Sequence, residues 1–206
     1  LGENPENGKL VVVKDGRFGP YVQEVEAEEP EEVDQATGEV VEADDGAVPL
    51  ALGYTRWIWA RMDRDLGSDA SVLFVGGGGY TLPTKLLASR PGARAVAVEI
   101  DPLVTEVVRE HMPRASAMIA LTGHVDGEDR TDGRLGIAHA DGRVYLNDTD
   151  QRFDAAVMDV FSSGSVPAHL VTRETFARLR EIVDGPIYVN LLDSPDGPLV
   201  RGVNAY

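Results

Sequence analysis

The chain of 206 residues contains no cysteine. Disulfides, thiolate nucleophiles and cysteine metal sites are therefore excluded, and nothing follows about the redox state of its compartment. No apolar run approaches the roughly 18 to 20 residues that span a bilayer. The start, Leu1-Gly-Glu-Asn, lacks the basic and apolar regions of a signal peptide. These absences lead to the expectation of a cytoplasmic protein without membrane contact. Basic residues are missing from one whole stretch: between residues 22 and 45 stand eleven Asp and Glu and no Lys or Arg. That segment accounts for most of the formal charge of −16, so the rest of the chain is only mildly acidic. Nucleic-acid binding by the chain as a whole is disfavoured. His111, His124, His139 and His169 are scattered, with only His169 near a candidate site, so no metal site is expected. Ser162, Ser163 and Ser165 have no His–acid pair at a recognisable spacing, which excludes a hydrolase.

What is present centres on Ser71-Val-Leu-Phe-Val-Gly-Gly-Gly-Gly-Tyr-Thr-Leu-Pro83, an apolar run feeding a glycine cluster and then a helix. Glycines at 76–79 let the backbone turn sharply and approach a ligand, while the following helix aims free N–H groups at it. The dinucleotide pattern G-x-G-x-x-G is broken, since Thr81 stands at its third glycine. An ordinary tight turn would use the same residues.

Downstream the pattern alternates strand and helix: strands at 72–75, 95–99, 135–139, 153–160 and 187–191, helices at 82–89, 102–111, 144–146 and 172–182. Residues 115–133 read as a polar, glycine-rich connection. Strands rich in Val, Ile and Ala without alternation predict a parallel sheet with helices on both faces. Ahead of it, Leu50, Tyr54, Trp57, Ile58, Arg61, Met62 and Leu66 fall at helical spacing, with Tyr54 and Trp57 read first as core. The predicted organisation is a β-hairpin segment over 1–27, an acidic linker over 28–47 and a Rossmann-like domain over 48–206.

Ligands of such sheets bind outside the carboxyl ends of the strands. There the sequence places the glycine loop, then Glu99-Ile-Asp101, then Asp141-Gly142, then Asp159. Glu99 lies 20 residues past Gly79, the spacing at which an acid reaches ribose hydroxyls. Asp141 would accept from an adenine amino group, and Asp159 would lie at the reacting centre. Each carboxylate alone suits a helix cap or a solvated loop; their order along successive strand ends favours an adenosyl site.

Two resemblances follow. Leu1-Gly-Glu-Asn-Pro-Glu-Asn-Gly-Lys9 and Asp15-Gly-Arg-Phe-Gly-Pro-Tyr-Val-Gln23 resemble the C-terminal repeat of bacterial type IA DNA topoisomerases. That resemblance implies DNA strand contact through Arg17, Phe18 and Tyr21; a hairpin packed on the main domain is the alternative. Gly76-Gly-Gly-Gly-Tyr-Thr-Leu-Pro83, Val98-Glu-Ile-Asp-Pro102, Ala140-Asp-Gly-Arg-Val-Tyr-Leu146 and Phe153-Asp-Ala-Ala-Val-Met-Asp-Val-Phe-Ser-Ser-Gly-Ser-Val-Pro-Ala-His-Leu170 are similar to spermidine synthase-like proteins. The bacterial branch often fused to membrane segments shares a Tyr-Thr-Arg like Tyr54-Thr55-Arg56.

This second resemblance implies a class I methyltransferase-type Rossmann fold and aminopropyl transfer from decarboxylated S-adenosylmethionine to an amine acceptor. Glu99 would bind the ribose, Asp141 the adenine, and Gly76, Gly77, Gly78 and Gly79 the methionine-derived portion, with Asp101 and Gly142 as further cofactor-binding residues. Asp159 would be the base, with Tyr54 and Ser162 beside the acceptor. Authentic synthases usually carry an aspartate where this chain has Gly79 and another where it has Ser162. Contacts of about 1.5 to 3 kcal/mol each are thereby absent. The chain stops at Tyr206, ahead of the family's last antiparallel strands, so the domain reads as C-terminally truncated with a sheet edge in need of cover. Rival readings are an S-adenosylmethionine-dependent methyltransferase and a non-catalytic module with a nucleic-acid-binding repeat. The oligomeric state stays open, a homodimer among the options.

Overall fold

The computed structural model describes residues 2–3, 10–16, 19–25, 50–122, 125–126, 133–161, 166–191, 197 and 200–201. Ser162 and the predicted acidic linker lie outside the described residues. Near the N-terminus, β2 (Leu10–Gly16) and β3 (Gly19–Val25) pair antiparallel from Leu10↔Val25 to Gly16↔Gly19, as the Asp-Gly and Gly-Pro pairs predict. A short strand β1 (Gly2–Glu3) adds to the outer edge of β2, so the predicted hairpin is a three-stranded sheet. Arg17 and Phe18 lie outside the described residues.

The second sheet has six strands: β4 (Ser71–Val75), β5 (Arg94–Glu99), β6 (Val125–Asp126), β7 (Leu135–His139), β8 (Ala155–Met158) and β9 (Ile187–Val189). They run parallel in the order β6-β7-β5-β4-β8-β9. Connections move outward from β4 to one side through β5, then return to the other side through β8. The switch between β4 and β8 opens a crevice at the carboxyl ends of those strands.

Helices cover both faces, as the unalternating apolar strands require. One face of the sheet, with Val72, Phe74, Ala95, Ala97, Leu135 and Ile137, packs under α1 (Gly53–Asp65), α2 (Thr81–Ser89), α3 (Pro102–His111) and α4 (Pro113–Thr122). The other, with Leu73, Val75, Val96, Val98 and Met158, packs under α5 (Gly142–Asp148) and α6 (Arg173–Ile182). Burying each large side chain here contributes roughly 1.5 to 3 kcal/mol.

Three expectations need correction. Trp57 is 78% exposed and Arg61 is also exposed, so neither belongs to the core stripe of α1. The buried side instead runs through Thr55, Ile58, Trp59, Met62 and Leu66, the i, i+3, i+4, i+7 set of one helical face. Residues 115–133 are not all connection: α4 occupies their first part and β6 a piece of the remainder. The alanines at 115, 117 and 120 favour helix, and Ile119 anchors it in the core. Finally, β8 and β9 end at Met158 and Val189, so Asp159 and Asn190 each stand one residue beyond a strand. Among the described strands none pairs with the outer edge of β9.

Candidate active site

Strand β4 ends at Val75 because Gly76 turns away with φ +101°, a conformation that L side chains rarely adopt. A Cβ there would sit 2.1 Å from the carbonyl oxygen of Asp159, so the ends of β4 and β8 meet at this point. Gly78 also has positive φ, and Tyr80 enters α2 at φ 55°, left-handed for a bulky aromatic residue. The fully buried Tyr80 is held by a hydrogen bond between its hydroxyl and Thr105 Oγ1 at 2.6 Å. Thr105 Oγ1 in turn lies 2.9 Å from His139 Nε2. Helix α2 begins without a side-chain cap, and its first turn faces the crevice.

Glu99, the last residue of β5, is 8% exposed. Its Oε2 accepts from the N–H groups of Gly77 at 3.0 Å and Gly78 at 3.1 Å, and its Oε1 from Asp101 N–H at 3.0 Å. The carboxylate thus ties the glycine loop to the neighbouring strand. Asp101, predicted as a site residue, caps α3 by accepting from Leu103 N–H at 2.9 Å and does not line the cavity. Its position just before Pro102 suits that role.

Asp141 caps α5: Oδ1 accepts from the N–H groups of Arg143 at 2.8 Å and Val144 at 3.2 Å. Oδ2 lies 3.0 Å from His169 Nε2, on the one-turn 3₁₀ helix Ala168–Leu170. Burial works to raise the carboxyl's pKa, but the hydrogen bonds from Val144, His169 and Arg143 outweigh it and hold the group below its ordinary range. Gly142 lets α5 start close to the sheet, since a Cβ would be 2.6 Å from Val75 Cγ1.

Asp159 follows β8 at the switch point. Tyr54 on α1 donates its hydroxyl to Oδ2 at 2.9 Å, and Asn190 after β9 donates Nδ2–H to Oδ1 at 2.9 Å. Tyr54 is thus a partner of Asp159 rather than a core residue. Sequence reasoning missed Asn190, which fell inside the strand read over 187–191 and stands instead one residue beyond its end. Tyr54, Glu99, Asp141, Asp159 and His169 line one cavity of about 570 Å³ with the glycine loop and Phe161, while Asn190 reaches Asp159 from outside that lining.

Residues 54–190 match the family model of the spermine/spermidine synthase domain. The chain belongs to that family. Residues 4–46 match the topoisomerase C-terminal repeat. The chain is 28% identical over 125 residues to the polyamine aminopropyltransferase of Korarchaeum cryptofilum, an overlap of 60% of this chain and 36% of the relative. The shared segment is thus about a third of that relative's length. In fold, the chain is similar to a spermidine synthase in complex with the transition-state analogue AdoDATO, with a TM-score of 0.58 at 17% identity, covering 95% of this chain and 60% of that one. It is also similar to human methyltransferase-like protein 13 in complex with SAH, with a TM-score of 0.51 at 20% identity, covering 65% and 61%. At these identities the likeness establishes the methyltransferase-type fold of this family member. No helix among the described residues is long and apolar enough to cross a membrane.

Proposed function

We propose that this chain transfers an aminopropyl group from decarboxylated S-adenosylmethionine to an amine, with Asp159 as the base. One observation carries the reading: the described cavity lining holds three carboxylates, Glu99, Asp141 and Asp159, and no Lys or Arg. Such a cavity favours a donor bearing only positive charge, a sulfonium and an ammonium, over one that also carries a carboxylate. The donor's ribose falls to Glu99, its adenine amino group to Asp141, and its sulfonium end to the glycine loop.

Asp159 receives hydrogen bonds from two uncharged side chains, so no cation described beside it cancels its charge. An acceptor ammonium is attracted to it and gives up one proton to the carboxylate. The freed nitrogen lone pair attacks the propyl carbon next to sulfur. The C–S bond breaks with its electrons going to sulfur, leaving a neutral thioether and a new C–N bond on a cationic amine. The protein's share is alignment of the two reactants and acceptance of that proton.

Calorimetric titration with decarboxylated S-adenosylmethionine, S-adenosylmethionine and methylthioadenosine tests the reading. The decarboxylated donor should bind at least about tenfold more tightly than the carboxylated form, equivalent to one charge-assisted contact. Asp159→Asn should lower transfer by about 10² to 10⁴ while methylthioadenosine still binds. Preference for the carboxylated form would make this a methyltransferase instead.

A further inference from the structure

The two oxygens of Asp141 are engaged differently. Oδ1 accepts from the N–H groups of Arg143 and Val144, whereas Oδ2 meets His169 Nε2 at 3.0 Å. A carboxylate only accepts, so Nε2 carries the hydrogen of that contact, and an oxygen with one hydrogen bond keeps a second lone pair. Asp141 and His169 both line the cavity, with side chains 30% and 53% exposed. The ring is more than an exposed pairing partner, because its main chain is pinned. The carbonyl oxygen of His169 accepts from Thr175 Oγ1 at 3.0 Å and from Arg143 Nη1 at 3.2 Å. Thr175 is fully buried, and Arg143 Nη1 also donates to the hydroxyls of Thr172 at 2.8 Å and Thr175 at 2.5 Å. Arg143 thus reaches from the first turn of α5 to the start of α6 and clamps the 3₁₀ turn that carries His169. An exposed ion pair alone contributes little; what this arrangement supplies is a direction for the ring.

We propose that His169 is a positioning residue for the donor's nucleobase, one that sharpens selection of a 6-amino over a 6-oxo purine. This assignment rests on the adenosyl part of the proposed function, in which Asp141 receives the adenine amino group, and deepens it. The last torsion of an aspartate is broad, so the cap bonds to Oδ1 leave Oδ2 room to swing. The N–H of the clamped ring fixes where Oδ2 stands. Its remaining lone pair then takes one N–H of a 6-amino group. A 6-oxo purine in the same pose presents an acceptor to that oxygen, and two acceptors face each other with no proton between them. Removing the ring leaves both cap bonds of α5 in place, so the loss falls on the base and not on the fold.

The test is calorimetric binding of methylthioadenosine and of its 6-oxo counterpart, methylthioinosine, to the full chain and to its His169→Ala and His169→Gln variants. The amide nitrogen of glutamine stands about as far along its side chain as histidine Nε2 and can donate in its place. Wild type should bind the 6-amino nucleoside at least about tenfold more tightly than the 6-oxo one. His169→Ala should weaken the 6-amino nucleoside about fivefold and the 6-oxo one less than about twofold, and His169→Gln should recover most of the ratio. A merely structural role would move both nucleosides alike. Equal binding of the two by wild type, an unchanged ratio in His169→Ala, or a glutamine variant that behaves as the alanine one overturns the assignment. If neither nucleoside binds wild type, the adenosyl reading falls and the assignment with it. The expected ratios combined with a preference for the carboxylated donor would remove aminopropyl transfer and leave the role of His169 standing.

Discussion

Glu99 and Asp141 are held by five backbone N–H groups, none more than 22 residues away in sequence, whereas Asp159 is held by side chains 105 and 31 residues away. The side of the cavity assigned to the donor is therefore made chiefly of main chain, with the His169 ring beside Asp141 as a side-chain contribution, and the side assigned to the acceptor of side chains brought from α1 and the end of β9. Main-chain donors are the same whatever the residue, provided that nothing obstructs the turn. Side-chain donors change with single substitutions. On this account donor recognition is rigid and acceptor recognition is adjustable.

Gly76→Ala should have the largest effect, because the main-chain side depends on it. The new Cβ would collide with the Asp159 carbonyl at 2.1 Å while the residue is held at φ +101°. Together these should cost about 3 kcal/mol of stability. Gly79→Ala, with no contact under 3.4 Å, should stay within about 0.5 kcal/mol. Urea unfolding of both variants gives the comparison directly. Equal costs would mean that close backbone approach does not set the donor side.

The same contrast explains what could be read from the sequence. The glycine loop, Glu99 and Asp141 were legible because their partners lie close by in the chain and the motif carries the geometry. The succession of five of the strands along the chain was legible too, since those apolar runs are bounded by turn residues, whereas β6 and the order of strands in the sheet were not. Asn190 was not, because nothing at residue 190 reveals that β9 pairs with β8 and brings it against Asp159. Tyr54 was placed at the site by resemblance, while periodicity alone favoured the core. Asp101 misled for the opposite reason: an acid beside Glu99 at a strand end is also what a helix beginning at Pro102 needs as its cap. Local chemistry could not separate the two roles.

On the side-chain half, Asn190→Ala removes one of the two donors to Asp159 and should lower kcat about tenfold, the kinetic equivalent of roughly 1.4 kcal/mol. Binding of methylthioadenosine should change less than about twofold, a margin of some 0.4 kcal/mol, because the main-chain half is untouched. Steady-state kinetics with parallel calorimetry separates the two quantities. A matching loss of nucleoside affinity would show that the halves are coupled and would end the division drawn between them.

The smallest effect is expected at the brace behind the acceptor side. Tyr188 on β9 donates its hydroxyl to Asp65 Oδ2 at 3.3 Å, joining the helix that carries Tyr54 to the strand that leads to Asn190. Burial, followed by the charge and hydrogen bond of Asp65, raises the phenol's pKa to about 12 from an ordinary value of 10.0. Below pH 10 the phenol is neutral in both the folded and the unfolded chain, and its contribution is fully present. Between about pH 10 and 12 the unfolded chain ionises first, so the folded state loses that advantage as pH rises. Tyr188→Phe should therefore cost less than about 1 kcal/mol at neutral pH, and the gap between wild type and variant should shrink across that window. Differencing the two proteins cancels the other groups that titrate there. A gap that stays constant to pH 12 would mean that Asp65 and Tyr188 do not brace the acceptor side.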